Sequence, residues 1–265
     1  MIALVTGASS GIGAATARRL AREPDAHLVL VARRRERLEA LAAELGGATV
    51  LAADLVDPET PALVAERVEA EHGRLDLLVN NAGVGGRGSF GSIGWAGVRQ
   101  TMAINFDAQL RLTEALLPLL RRSAPSAIVN VGSVAGRVSR PGAGAYSASK
   151  FALAGWTEAL YLEERRHGVH VALVQPGFAA TEGFPQRELM ARPLTRRMVS
   201  TETKVADAIV DAWKRRRPER YVPRPFALVP VARVLLPGLY RRVVGGGAFT
   251  PSTGSQPVAG RQDQG

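Results

Sequence analysis

Cysteine is absent from this 265-residue chain. Its absence excludes a disulfide framework, a thiolate nucleophile and any cysteine-ligated metal site. Histidine is scarce as well: the four are His27, His72, His167 and His170. Only His167 and His170 are near each other, and no carboxylate-rich motif accompanies them. They read as surface histidines around a helix end, and no metal is expected. A long apolar run is also missing. Residues 225–244 are apolar, but Pro225, Pro230, Pro237 and Gly238 break them and Arg233, Arg241 and Arg242 charge them. That falls short of the about 20 predominantly apolar residues that a membrane span needs. Residues 2–6 already read as a strand, so no secretory signal is expected and the cytoplasm is the default location.

What is present looks like a soluble globular protein able to bury a sizeable core, with 46% hydrophobic and 22% charged residues. The net charge of +10 is uneven: residues 1–181 hold 19 Lys/Arg against 17 Asp/Glu, whereas residues 182–265 hold 15 against 7. A basic third of this kind can meet nucleic acid. No helix-turn-helix, zinc-finger or RNA-binding signature accompanies it, so no nucleic-acid partner is expected. An acidic surface, an anionic membrane, an acidic ligand or a plain solvated arginine-rich face accounts for the charge.

Strand and helix patterns alternate through the first two-thirds. Strands are expected at residues 2–6, 27–32, 48–53, 76–80, 126–131 and 169–175, with a seventh at an edge over 219–222. Helices are expected over 12–22, 34–45, from Asp57-Pro58 onward, 146–166 and 203–215. Near-continuous apolar strands alternating with helices imply a parallel sheet covered on both faces. Right-handed crossovers then make the fold class α/β, a single doubly wound Rossmann-type domain with a seven-stranded parallel sheet flanked by helices. The expected organisation is a domain over 1–222 that includes a mobile substrate loop at 177–203. An apolar and basic extension follows over 223–244, then a poorly ordered tail over 245–265.

The chemistry gathers at Tyr146-Ser147-Ala148-Ser149-Lys150, with Ser133 thirteen residues upstream. A tyrosine and a lysine four apart share a helix face. A neighbouring ammonium favours the phenolate, so Lys150 is expected to lower the Tyr146 pKa from about 10. That suits a general acid/base at an alcohol oxygen. At the other end of the chain, Thr6-Gly7-Ala8-Ser9-Ser10-Gly11-Ile12-Gly13 joins the first strand to the first helix. Small residues there let the backbone approach a pyrophosphate, which the helix N-terminus attracts. The spacing is Gly-x3-Gly-x-Gly rather than Gly-x-Gly-x-x-Gly. A tight glycine turn without a ligand is the structural alternative. Where an NAD enzyme carries a carboxylate after its second strand, this chain has Ala32 followed by Arg33, Arg34 and Arg35. A guanidinium pairs with a 2′-phosphate that a carboxylate would repel. The reading is NADP(H) in preference to NAD(H), with Arg33 the main contact, Ser9 its helper and Arg34 beside them.

Together with Asn80-Asn81-Ala82-Gly83, Asn105 and Pro176-Gly177, these motifs resemble the short-chain dehydrogenase/reductase family in its shorter subtype, over about residues 1–222. The resemblance implies that Gly7, Ser9, Ser10, Gly11, Ile12 and Gly13 hold the dinucleotide. It implies that Asp54, with Leu55, meets the adenine, and that Asn81, Ala82 and Gly83 close over the adenine ribose. Pro176, Gly177 and Thr181 lie along the nicotinamide. Tyr146 becomes the acid/base, Lys150 also bonds the nicotinamide ribose, Ser133 holds the substrate oxygen and Asn105 holds a relay water. Asp54 is also readable as a turn cap, Asn105 as a capped kink and Ser133 as a turn residue.

The expected activity is an NADP(H)-dependent interconversion of a secondary alcohol and a ketone (or aldehyde) by a homodimer or homotetramer. Phe90, Trp95, Phe178, Phe184, Leu189, Met190 and Met198 are expected around the substrate, which points to an apolar one. Residues 225–244 are expected to form an apolar flap or short helix pair near the substrate entrance or a subunit face. Arginines 224, 233, 241 and 242 suit an anionic membrane surface. The competing readings are a dinucleotide-binding sensor without chemistry and a peripheral membrane or nucleic-acid binder. Intact Ser133, Tyr146 and Lys150 argue against the sensor.

Overall fold

In the computed structural model, residues 1–85, 88–179 and 199–245 are described. Seven parallel strands form one sheet. In chain order they are β1 (Ile2–Thr6), β2 (His27–Ala32), β3 (Thr49–Ala52), β4 (Leu77–Asn80), β5 (Ser126–Val131), β6 (Val169–Pro176) and β9 (Glu219–Val222). Their spatial order is β3-β2-β1-β4-β5-β6-β9. The order reverses between β1 and β4, where a crevice opens at the carboxyl ends of the strands. A separate two-stranded pair joins β7 (Phe178–Ala179) to β8 (Val199–Ser200).

The period-two alternation of strand side chains sorts β1 into two cores. Ala3 and Val5 pack on one face with Leu20 of α1 (Gly11–Leu20), Leu38 of α2 (Arg35–Glu44) and Ile209 of α7 (Glu202–Lys214). Ile2 and Leu4 pack on the other with Val64 of α3 (Thr60–His72), Leu112 and Leu116 of α5 (Ala108–Arg122) and Leu160 of α6 (Gly144–Glu164). Burial on both faces is why these strands read as apolar runs without alternation.

Most expected elements stand within a residue or two of their places. One start differs. The third helix begins at Thr60, not at Asp57-Pro58, and the proline in its first turn is Pro61. Asp57 instead accepts the Glu59 amide through its carboxylate at 2.9 Å, an Asx turn that holds the chain out of the helix.

Residues 223–245 fold as a short 3₁₀ turn (Arg224–Ala227) and two helices, α8 (Leu228–Leu235) and α9 (Pro237–Gly245). Pro237 opens α9, where a missing N–H costs nothing. Residues 180–198 and 246–265, which hold part of the expected substrate loop and almost all of the expected tail, lie outside the described residues.

Candidate active site

The sheet's switch point opens into one cleft of about 950 Å³, lined from the glycine loop at one end to Tyr146, Lys150 and Phe226 at the other. A volume of that size suits a large ligand.

At the loop end, Gly7 and Gly11 take φ of +65° and +59°, which a side chain disfavours. A Cβ on Gly13 would sit 2.2 Å from the Gly7 carbonyl oxygen, so this glycine serves the packing of the turn itself. Gly13 is accordingly absent from the lining, which takes Gly7, Ser9, Ser10, Gly11 and Ile12. Ser10 is the N-cap of α1, yet its hydroxyl makes no capping bond and the first turn holds no acid. The first amides of α1 therefore keep their positive end for an anion. These residues fit a pyrophosphate.

The arginine that reaches this loop is Arg34, not Arg33. Arg34 donates from Nε and Nη2 to the Ser9 hydroxyl at 3.1 and 3.0 Å, and from Nη2 to Ser10 at 2.6 Å. Arg33, largely exposed, turns toward Asp54 at 3.9 Å. The reason lies in chain direction. Arg34 is the extended N-cap residue of α2 and reaches the loop that follows β1, whereas Arg33 comes directly after β2, whose last residue, Ala32, pairs with Ala52 of β3. Both line the cleft with Asp54 and Leu55. Asp54 also accepts the Val56 amide at 3.0 Å, so its turn-cap role is real beside any contact with a ligand.

Asn81, Ala82 and Gly83 line the middle of the cleft. Their amides are tied to β1: Asn81 and Ala82 both donate to the Thr6 hydroxyl at 2.9 Å. The Asn81 side chain donates to the Thr6 carbonyl at 2.8 Å. Gly83 is closely approached by Asn105, and a Cβ there would press on Asn105 Oδ1 at 3.0 Å.

At the far end, Ser133 stands two residues beyond β5 and caps a 3₁₀ turn, accepting the Ala135 amide at 3.1 Å. Its hydroxyl donates weakly to the Pro176 carbonyl at 3.4 Å and so is available to a better acceptor. Lys150 is 4% exposed and donates to the Val131 carbonyl at 2.8 Å. Burial pulls its pKa down to about 8.

Tyr146 is half-buried on the cleft wall. Burial pushes its phenol above the ordinary value, while a hydrogen bond with Ser133 and the charge of Arg140 pull it back. The expected depression by Lys150 is not what governs the phenol here: desolvation outweighs, and the opposing groups are Ser133 and Arg140. Arg140 lines the cleft and was not foreseen, because a lone loop arginine carries no spacing signal.

Asn105 is buried in a π-helical turn, Ala103–Asp107, between α4 (Phe90–Met102) and α5. Its amide accepts the Val84 N–H at 2.8 Å and donates to the Val84 carbonyl at 3.0 Å and to Ser149 at 3.1 Å. Ala103 and Ile104 line the cleft and Asn105 does not. The capped-kink reading describes this geometry, and Asn105 braces the wall from behind. Ser149 passes the brace on, donating to the Tyr146 carbonyl at 2.8 Å.

Of the aromatic residues expected around the substrate, Phe178 lines the cleft. Phe90 and Trp95 point to solvent, each 70% exposed. Thr181, Phe184, Leu189, Met190 and Met198 lie outside the described residues. Pro176 and Gly177 line the cleft as expected. A Cβ on Gly177 would meet the Phe226 ring at 2.7 Å, so this glycine lets the ring close over the end of β6. Phe226, Val229, Tyr240 and Val244 from the C-terminal turn and helices complete the apolar wall.

A buried polar chain also crosses the sheet. Asn80 donates to Thr113 and Asn130 at 2.9 Å each, and Asn130 donates to Thr157 at 2.9 Å. Asn80 and Asn130 are register partners on β4 and β5, which sequence spacing alone could not reveal.

Residues 1–190 match the family model for short chain dehydrogenase. The 3-ketodihydrosphingosine reductase of Bacteroides thetaiotaomicron is 36% identical over 176 residues, covering 66% of this chain and 63% of that one. The chain thus spans somewhat less than two-thirds of that relative's length. The crystal structure of a short-chain dehydrogenase from Streptomyces avermitilis superposes with a TM-score of 0.78 at 30% identity, over 93% of this chain and 97% of that one. A short-chain dehydrogenase from Burkholderia cenocepacia, in complex with NADP, gives 0.74 at 32% identity, over 83% and 94%.

Proposed function

The chain belongs to the short-chain dehydrogenase family, whose members bind NAD(P), and on that premise we propose that it interconverts a secondary alcohol and a ketone (or aldehyde), preferring NADP(H) and an apolar substrate. The observation that carries this is a single cleft lined at one end by the glycine loop with Arg34 and at the other by Ser133, Tyr146 and Lys150. The nicotinamide, when bound, supplies or accepts the hydride. All other work falls to the protein.

Tyr146 is raised by burial, so at neutral pH it holds its proton and is loaded to protonate a carbonyl oxygen; in the oxidation direction it takes the proton back. Ser133 turns its weakly engaged hydroxyl from Pro176 to the substrate oxygen and fixes it beside the phenol. Lys150 spends one N–H on Val131 and keeps two for a ribose hydroxyl and for proton return to Tyr146. Asn105 and Ser149 act through the wall, as positioning residues.

Arg34 with Ser9 and Ser10 forms a donor cluster suited to a 2′-phosphate. The NADP complex of the Burkholderia structure supports the same preference. Val138, Phe178, Phe226 and Val229 favour an apolar chain beside the reacting carbon. The lipid ketone in the name of the Bacteroides relative agrees. Assembly as a homodimer or homotetramer, a cytoplasmic location and membrane contact through residues 224–244 belong to the same proposal. The test is a panel of aliphatic ketones and alcohols of rising chain length with NADPH, NADP, NADH and NAD. Turnover that rises with chain length and favours NADPH is expected. An inactive panel, or equal kcat/KM for the two cofactors, goes against the reading.

A further inference from the structure

We propose that α8 and α9 form a docking face for an anionic phospholipid bilayer and that the cleft opens beside it, so that an apolar substrate passes from lipid to Tyr146 with little exposure to water. The docking makes specific the membrane contact through residues 224–244 proposed above, and the route of the substrate rests on the activity proposed there.

The helix pair has two faces. Val229, Tyr240 and Val244 turn inward and line the cleft. Leu228, Val231, Val234 and Leu235 of α8 and Leu239 and Val243 of α9 turn outward, with exposures from 44 to 72%. On α8 the outward residues follow spacings of three and four, and on α9 a spacing of four, so each helix shows one continuous apolar stripe. Leu236, at the joint, is 54% exposed and connects the stripes. Such a patch is large for a surface left to water.

The pair is anchored to the body through its polar groups. The Tyr240 hydroxyl donates to the Ser139 carbonyl at 2.6 Å, and Arg233 donates to the Arg137 carbonyl at 2.9 Å. Arg233 also stacks on Phe151 at 5.3 Å. These contacts fix the orientation of the helices and leave the stripes facing outward.

Charge decides the occupant. No acidic residue occurs between Glu219 and Asp263, whereas Arg220, Arg224, Arg233, Arg241 and Arg242 do. Arg220 is largely buried and paired with Asp211 at 3.2 Å, so the basic character of this face comes from Arg224, Arg241 and Arg242. A second copy of this chain docked by the same face would bring arginines against arginines with no carboxylate in the segment to pair them. An anionic bilayer offers phosphates to the guanidinium groups and acyl chains to the leucines. Between the helices lies a hollow of about 310 Å³ lined by Arg233, Val234, Pro237, Tyr240 and Arg241, so that guanidinium groups edge it. Among the described residues no helix is long and apolar enough to cross a membrane. The attachment is therefore in the plane of the interface.

The test is co-sedimentation of the full chain with vesicles of phosphatidylcholine alone and of phosphatidylcholine mixed with phosphatidylglycerol. Binding is expected to the mixed vesicles and to weaken as salt rises from about 0.1 to about 0.5 M. The double variant Arg241→Glu/Arg242→Glu should lose roughly thirtyfold or more in vesicle affinity. Leu235→Ser/Leu239→Ser should lose binding while NADPH binding, read by fluorescence, stays unchanged. No binding to the mixed vesicles, or binding that neither double variant weakens, overturns the proposal. So does a dimer in solution that the leucine variant dissolves, because it identifies a second copy as the occupant. Vesicle binding by a chain that reduces no ketone would leave the docking standing and remove only the substrate route.

Discussion

The Lys150 ammonium donates to the Val131 carbonyl at 2.8 Å, just where β5 gives way to the turn that carries Ser133. One hydrogen bond thus ties the long helix α6, which also holds Tyr146, to the strand that places the substrate-side hydroxyl. The same bond keeps a charge in a site where desolvation lowers its pKa to about 8.

A stability prediction follows from that value. The folded pKa, about 8, lies below the unfolded 10.5. The unfolded chain therefore binds more protons between those limits, and stability gains with pH across that window. Below about pH 8 both states carry the charge and the cost of burying it is fully present. Lys150→Met should remove this cost, about 3 kcal/mol at most, less the lost bond to Val131. Urea denaturation from pH 7 to pH 10 should show a positive slope for the unmodified protein relative to Lys150→Met. Parallel curves would refute the assignment.

Arg34→Ala should weaken NADPH binding by roughly ten- to hundredfold, the worth of charge-assisted bonds of about 1.5–3 kcal/mol, and leave NADH binding nearly unchanged. Arg33→Ala should do less, since Arg33 leans to Asp54 and not to the Ser9–Ser10 hydroxyls. Titration of both variants with both cofactors checks the order of the two effects, and a larger loss in Arg33→Ala would restore the arginine that the sequence favoured.

Asn130→Ala should destabilise the fold by about 1–3 kcal/mol, because Asn80 keeps only its bond to Thr113 and Thr157 only its bond to the Leu153 carbonyl, so that one buried amide N–H of Asn80 loses its acceptor in a dry sheet. The midpoint of denaturant unfolding measures this. An unchanged midpoint would mean that the chain of amides adds nothing to stability.

The parallel sheet, its seven strands and most of the cleft were legible because their signals are local. Strands buried on both faces read as apolar runs, the glycine turn sits between strand and helix, and Tyr146 and Lys150 are four apart. What the sequence hid depends on geometry between distant segments. Arg33 and Arg34 are equal as neighbours in sequence and unequal once the chain turns into α2. Asn105 looks like a site residue by position, yet its amide is consumed by Val84 and Ser149. Phe90 and Trp95 look like pocket walls and face solvent, while within the expected 225–244 flap only the fold shows that it is Phe226 that packs on Gly177. Arg140 bears on Tyr146 from a loop with no motif.

Tyr146→Phe tests the central claim most directly, by NADPH oxidation with an aliphatic ketone and NADPH binding in the same preparation. Only the phenolic oxygen is removed, so the variant should bind NADPH as the unmodified protein does and turn over roughly 10²–10⁴-fold more slowly. A variant that keeps most of the unmodified rate would show that Tyr146 does not move the proton.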